Sequence, residues 1–200
     1  MPSPRPVDPP GALSSHSVRD KAFQLIKERS FAKGQFKLAS GKESNYYLDL
    51  KPTMLNPDGG AALSQMILDV LKDMKVDYVG GLEMGAVPLI ASITTLSAIR
   101  HAPLHGFFVR KDVKDHGTKK LVEGLARGES IKDKRVVILE DVTTSGASAM
   151  VAVKAAQELG AVIVLVLSIV DREDGASELY KNAGVPFKAL FTASEFLAAS

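Results

Sequence analysis

The order of apolar and polar positions divides the chain into strand-like runs and helix-like spacings. Strand-like runs occupy residues 78–82, 104–109, 136–139, 162–170 and 187–191, and the apolar runs at 136–139 and 162–170 suit strands buried on both faces. Apolar spacing, helix-forming residues and stop signals predict helices at residues 18–29, 57–74, 87 onward, 150–159, 176–184 and 194–197. This alternation predicts an α/β fold in which helices flank both faces of a mostly parallel sheet.

The N-terminal part of the chain does not follow this alternation. Residues 1–16 hold half of the ten prolines and show no periodicity, which predicts a disordered tail. Ser17 begins a helix-start pattern ahead of the first predicted helix. Residues 36–50 carry strand-forming side chains around a Ser-Gly turn, which predicts a small hairpin outside the main sheet. The predicted division is a tail at 1–16, an N-terminal helix and hairpin at 17–56, and an α/β core at 57–200.

The stretch after the apolar run at 136–139 combines two acids with a turn of small residues. Glu140 and Asp141 come first, and a turn rich in Thr, Ser and Gly leads into the next helix. Unpaired amides and the positive dipole end make a helix N-terminus a natural site for phosphate, while carboxylates can accept hydrogen bonds from a sugar diol. The stretch therefore indicates a ribose phosphate site, although a strand followed by an ordinary helix cap is the simpler alternative.

Other polar groups follow the ends of neighbouring strands. They are the turn at 83–86, the basic loop that starts at Arg110, and Arg172. Ligands of open α/β sheets bind at the carboxyl ends of the strands, so we expect these groups to meet the acidic pair there. The segment 110–134, called the lid below, is long enough to close over a site, and its lysines suit a diphosphate.

Each of these features also has a simpler interpretation. A charged loop is usually a solvated surface, and Arg172 has acidic neighbours with which it could pair. Arg172 could instead clamp a carboxylate. Tyr46 and Tyr47 are more often packing residues than the floor of a site for a flat ring, and the pattern alone favours packing.

Composition limits the classes of function. The 200 residues suit one domain, and a net charge of +2 is too small to indicate nucleic-acid or membrane binding. The absence of cysteine excludes disulfides, zinc–thiolate sites and a thiol nucleophile. The longest apolar run has the length of a strand, and no signal peptide is visible, so we expect a cytoplasmic protein.

With these residues in view, the chain resembles the orotate phosphoribosyltransferases, a family of the type I phosphoribosyltransferase fold, over residues 18–195. The acidic pair with its turn is similar to the motif that binds 5-phosphoribosyl 1-diphosphate (PRPP). The sequence FKLASGKESNYYLDLKP resembles the family's N-terminal hood, and the lid sequence from Arg110 to Gly117 resembles its catalytic loop. Arg172 stands where the family has an orotate-binding arginine.

The resemblance implies a role for each matching residue. Lys114, His116 and Asp141 would be catalytic, and Tyr47, Thr144 and Arg172 would bind orotate, with Leu48 beside Tyr47 in an aromatic-type wall. PRPP would contact Arg110, Lys111, Lys114, His116, Glu140, Asp141, Val142, Thr143, Thr144, Ser145, Gly146, Ala147 and Ser148.

The resemblance also implies a reaction and an assembly. Orotate N1 would displace pyrophosphate at the anomeric carbon of PRPP, with Mg²⁺ bound mainly through PRPP rather than by direct protein ligands. The active unit would be a homodimer in which each lid reaches the partner's site. A purine or other base phosphoribosyltransferase and a PRPP-sensing regulatory protein are the alternatives on the same fold.

The chain departs from the family pattern at two cations. Many members have a lysine where this chain has Ala39 and another where it has Met84. Lys37 or Lys51 could take the place of the first of these lysines, and the sequence does not choose between them.

Overall fold

The computed structural model describes residues 15–37, 41, 43–111 and 121–199, and the side chains from residue 17 onward. In chain order the elements are α1 (Ser15–Arg29), β1 (Phe31–Lys37), β2 (Glu43–Leu48), α2 (Lys51–Met54), α3 (Pro57–Leu71), β3 (Tyr78–Gly81), α4 (Val87–Ile99), β4 (His105–Gly106), β5 (Phe108–Val109), β6 (Val122–Glu123), β7 (Arg135–Thr143), α5 (Ala147–Glu158), β8 (Val162–Asp171), α6 (Ala176–Asn182), β9 (Phe187–Thr192) and α7 (Ala193–Ala198).

The central sheet has five strands in the order β4-β3-β7-β8-β9, and every pairing in it is parallel. This confirms the parallel sheet that the apolar runs predict. The run at 104–109 is not one strand, because β4 pairs with β3 whereas β5 pairs antiparallel with β6. The parallel arrangement brings the carboxyl ends of β3, β7 and β8 to one edge, where the acidic pair lies.

Strand β7 divides the core into two layers because successive side chains point to opposite faces. Val137 and Leu139 pack with α1, α3 and α4, whereas Val136 and Ile138 pack with α5 and α6. All four side chains are fully buried. A strand covered on both faces needs a continuous apolar run, which is why this strand could be predicted from the sequence.

Several element ends differ from the prediction. Helix α1 begins at Ser15, so Ser17 lies inside the helix and is not its cap. Helix α3 ends at Leu71, three residues before the predicted end. It begins as predicted, because Asn56 accepts a hydrogen bond from the Gly59 amide at 3.0 Å and Pro57 occupies the first turn.

The hood is the antiparallel hairpin of β1 and β2, and its first strand begins at Phe31, five residues before the predicted start. Phe31 stacks on Tyr46 and on Phe196, with 5.8 Å between ring centroids in each pair. Tyr46 and Leu48 are buried, whereas Tyr47 between them is exposed. These contacts fix one face of the hood against the core and leave the other face open.

The lysine- and glycine-rich sequence of the lid predicts a polar segment tied to the sheet only at its ends, but its described residues, 110–111 and 121–134, are held against the core. The Arg110 amide donates to the Leu121 carbonyl at 2.9 Å, and β6 pairs with β5. Val122 and Ile131 are buried in the second core layer. Residues 112–120 lie outside the described residues. No helix in the described ranges is long and apolar enough to cross a membrane.

Candidate active site

A cleft of about 370 Å³ opens at the carboxyl edge of the sheet. It brings together five of the residues predicted to bind substrate, namely Lys111, Glu140, Asp141, Val142 and Ser148. Its other lining residues are Lys51, Leu82, Glu83, Met84 and Gly85. The cleft therefore combines the acidic pair, the start of α5, the turn at 83–86, and Lys51, which follows the hood. It also includes Lys111 at the start of the lid, called the lid base below.

Strand β7 runs to Thr143, four residues beyond the predicted end, so the two acids are consecutive residues near its end, and they have different environments. Asp141 accepts a hydrogen bond from the Val142 amide at 2.8 Å through Oδ1. Glu140 is only 6% exposed, and its Oε2 has no hydrogen-bond partner in the part of the chain that the structure describes. Burial, reinforced by the hydrogen bond and charge of Asp141, raises the pKa of Glu140 to about 9. A protonated Glu140 beside Asp141 can both donate to and accept from a pair of sugar hydroxyls.

The small-residue turn has the geometry of a phosphate cradle. Helix α5 begins at Ala147, earlier than predicted, so Ala147 and Ser148 lie in its first turn. Gly146 precedes the helix with φ +83°, and an added Cβ would lie 2.9 Å from the Tyr180 ring, which makes glycine necessary there. Thr144 and Ser145 are exposed, so their hydroxyls are accessible to an anion at the start of the helix, whereas Thr143 is buried.

The turn at 83–86 packs directly on the acidic pair. A Cβ at Gly85 would lie 2.5 Å from Asp141 Oδ1, so only glycine allows this approach. Glu83 Oε1 accepts a hydrogen bond from the Lys111 amide at 3.0 Å and thereby joins the turn to the lid base. Met84 is 61% exposed and lines the cleft at a position where many family members have a lysine.

Arg172 extends from the end of β8 to the hood. It donates a hydrogen bond to Ser44 Oγ at 3.2 Å, and its guanidinium lies 4.2 Å from the centre of the Tyr46 ring. Glu173 accepts from the Ser194 amide and Asp171 accepts from the Glu173 amide, and within the described ranges no ion pair joins Arg172 to its acidic neighbours. The simpler interpretation, in which Arg172 pairs with its acidic neighbours, is therefore wrong.

The two hood tyrosines have different roles. Tyr46 is a packing residue under Arg172, as the pattern favoured, whereas Tyr47 is 46% exposed and contacts Phe36 with 5.6 Å between ring centroids. Leu48 belongs to the core, so the side chains of Tyr47 and Leu48 do not share the expected wall. Successive residues of a strand point to opposite faces, which prevents such a wall.

Lys51 is the site residue that the sequence left undecided. It lies in the cleft, whereas Lys37 is exposed near the end of β1, which the cleft does not include. In the sequence, Lys51 could be noticed only as a cation two residues after Asp49. Only the fold shows that it lines the same cleft as Asp141.

Some predicted residues cannot be placed. Lys114, His116 and Ala39 lie outside the described residues, and Arg110 is half-buried at the base of the lid. Within the ranges that the structure describes, no cluster of three or more His, Asp or Glu side chains could hold a metal ion. Oxygen ligands for a cation in this cleft would come from a substrate, water and the acidic pair.

Comparisons of the sequence and of the structure with known proteins find the same kind of enzyme. No protein-family model matches the chain. The orotate phosphoribosyltransferase of Rhodopseudomonas palustris strain TIE-1 is 54% identical over 185 residues, which are 92% of this chain and 99% of the relative. The orotate phosphoribosyltransferase of Mycobacterium tuberculosis H37Rv in complex with Fe(III) dicitrate has a TM-score of 0.76 and 32% identity, with 90% of this chain and 98% of that chain covered. The same enzyme in complex with PRPP has a TM-score of 0.70 and 26% identity, with 90% and 92% covered.

Proposed function

Since the chain belongs to the orotate phosphoribosyltransferase family and transfers the 5-phosphoribosyl group of PRPP to orotate, we propose that the cleft beside Glu140 and Asp141 is where this transfer takes place. The products are orotidine 5′-monophosphate (OMP) and pyrophosphate, and the reaction belongs to pyrimidine biosynthesis. Family membership decides against a purine transferase and against a regulatory protein without activity.

The observation that supports this site is the direct contact of three strand ends. The acidic pair lies near the end of β7, Gly85 of the turn after β3 packs on Asp141, and the Arg172 amide after β8 donates to the Thr143 carbonyl at 2.8 Å. We propose that the turn at 143–148 binds the 5′-phosphate, that the acidic pair holds the ribose hydroxyls, and that Arg172 binds the orotate carboxylate. The diphosphate would then lie between the turn at 83–86 and the lid, within reach of Lys111.

In this arrangement catalysis consists of positioning and charge stabilisation. Orotate N1 forms the new bond to the anomeric carbon while the bond to the diphosphate oxygen breaks. The electron pair leaves with pyrophosphate, and the proton of N1 passes to the departing pyrophosphate or to water. Lys111, with Lys114 and His116 of the lid, would stabilise the charge on the leaving group. No covalent enzyme intermediate is required.

We propose that Mg²⁺ enters with PRPP. The cleft offers carboxylate oxygens, which suit Mg²⁺, and the described residues contain no dedicated cluster of ligands. The ion would neutralise charge on the diphosphate, with most of its ligands from phosphate oxygens and water. We also propose a two-fold homodimer in which each lid completes the partner's site. A two-fold axis makes this exchange reciprocal, so both sites would be completed in the same way. The cytoplasmic location expected from the sequence stays a prediction that cell fractionation can test.

Asp141→Asn tests the proposed site. An amide can no longer accept hydrogen bonds from the diol at both oxygens, so PRPP affinity should fall by about 10-fold or more while the fold is retained. Titration calorimetry with PRPP and Mg²⁺ measures the affinity, and circular dichroism checks the fold. Asp69→Asn is the matched control, since Asp69 lies in a weak surface ion pair with Arg100. Wild-type PRPP affinity in folded Asp141→Asn protein would contradict the assignment.

A further inference from the structure

Lys51 lines the cleft, and the proposed reaction as described above assigns it no role. It is the first residue of α2, immediately after the hood, and it lines the cleft with Met84, Lys111 and Asp141. The described residues that line the cleft include two cations, Lys51 and Lys111. They also include three acids, Glu83, Glu140 and Asp141. A diphosphate is strongly anionic, so a second lysine beside Lys111 would favour its binding in this cleft.

Asp49, which directly follows β2, is the hydrogen-bond partner of Lys51. Asp49 Oδ1 accepts hydrogen bonds from the Lys51 amide at 3.1 Å and from its Nζ at 2.9 Å. The hydrogen bond to Asp49, with further effects from the charges of Asp49 and Asp141, raises the pKa of Lys51. Lys51 therefore stays protonated at neutral pH.

The ion pair with Asp49 is weak enough to be exchanged for a ligand. The Lys51 side chain is 52% exposed, and pairs in such positions contribute about 0–1 kcal/mol. A phosphate oxygen of a bound diphosphate carries more charge and can compete for the ammonium group. The flexible stem of lysine lets Nζ move without any movement of the backbone.

We propose that Lys51 is a catalytic residue that contacts the diphosphate of PRPP and stabilises the charge on the departing pyrophosphate. This assignment rests on the proposed placement of PRPP in the cleft. Lys51 would supply, from the start of α2, a cation that the chain lacks at Met84. Lys37, the other candidate, is exposed near the end of β1 and does not line the cleft.

Lys51→Ala tests the proposal through the two product affinities. Pyrophosphate binding, measured calorimetrically with Mg²⁺, should weaken by about 10-fold, and kcat should fall by about 10- to 100-fold. OMP has no diphosphate, so its affinity should stay within about two-fold of wild type, and Lys51→Arg should recover part of kcat. Lys21→Ala is the matched control, because Lys21 forms a similar exposed ion pair with Asp58 at 2.6 Å and does not line the cleft.

The outcomes separate this proposal from the placement of the site. Wild-type pyrophosphate affinity in Lys51→Ala, while Asp141→Asn has lost PRPP affinity, overturns the role of Lys51 and leaves the site in place. Equal loss of OMP and pyrophosphate affinity also overturns it, since Lys51 would then support the whole cleft. If Asp141→Asn retains PRPP affinity, the placement of PRPP itself is wrong. A loss in Lys37→Ala equal to that in Lys51→Ala would assign the effect to general surface charge.

Discussion

The phosphate cradle and the hood side of the cleft are built in different ways. The cradle at 140–148 is one continuous stretch, in which a buried strand, two acids and a helix start follow one another. The hood side joins residues distant in sequence, as in the hydrogen bond from Arg172 to Ser44 across 128 positions. A continuous site is positioned by its own strand and helix, whereas a joined site depends on packing between separate elements. The two regions should therefore respond differently to substitution.

The largest expected effect comes from a mixed dimer in which one subunit has a defective cradle and the other has a defective lid. Lys114→Ala and Asp141→Asn homodimers should each be nearly inactive. If lids act in trans, a mixed dimer has one site with an intact cradle and an intact lid. Random exchange makes about half of the dimers mixed, so mixing equal amounts should restore about a quarter of wild-type activity. Activity assays after demonstrated subunit exchange measure this recovery.

Two controls make the mixing experiment decisive. An affinity tag on one variant, recovered together with the untagged variant, demonstrates subunit exchange, and size-exclusion chromatography with light scattering reports the dimer. Failure of the mixture to regain activity, with exchange demonstrated, would show that each lid closes over its own subunit.

A smaller effect, confined to the hood side, is expected from Arg172→Ala. Orotate differs from uracil by a carboxylate, so loss of the guanidinium removes a charge-assisted contact of about 1.5–3 kcal/mol. The kcat/KM for orotate should fall by about 10- to 100-fold, while PRPP affinity stays close to wild type. Steady-state kinetics with each substrate varied in turn measures this difference.

Arg19→Ala is the matched control for that variant. Arg19 also lies over an aromatic ring, 4.5 Å from the centre of Phe191, but it pairs with Glu195 and does not line the cleft. Its removal should lower stability without selective loss of orotate turnover. Equal losses for orotate and PRPP in Arg172→Ala would show that Arg172 only holds the hood in place.

The smallest effect is expected beneath the cradle. The Tyr180 hydroxyl donates to the Gly146 carbonyl at 3.3 Å, and its ring packs against Gly146. Tyr180→Phe keeps the ring and removes one hydrogen bond of about 0.5–1.5 kcal/mol, so KM for PRPP should rise by about two- to ten-fold with KM for orotate unchanged. Tyr78→Phe is the control, since its hydroxyl bonds Glu129 on the lid side. A rise in both KM values would mean that Tyr180 supports the fold as a whole and not the cradle.

The sequence by itself determined the α/β fold and the cradle. Strands covered on both faces need apolar runs, and an anion site at a helix start needs small and hydroxyl residues next to the strand end, so residues 136–148 carry both signals without a gap. Element ends were less certain, because Ser17 and the end of α3 have local signals that tertiary contacts override.

Only the tertiary structure decided how the separate segments meet. The local sequence cannot say that Arg172 lies over Tyr46, that Tyr47 and Leu48 point to opposite sides, or that Lys51 and not Lys37 lines the cleft. Each of these facts depends on the direction in which a side chain points after the hood has packed on the core. That direction is set by Phe31, Tyr46 and Phe196, whose contacts join parts of the chain far apart in sequence.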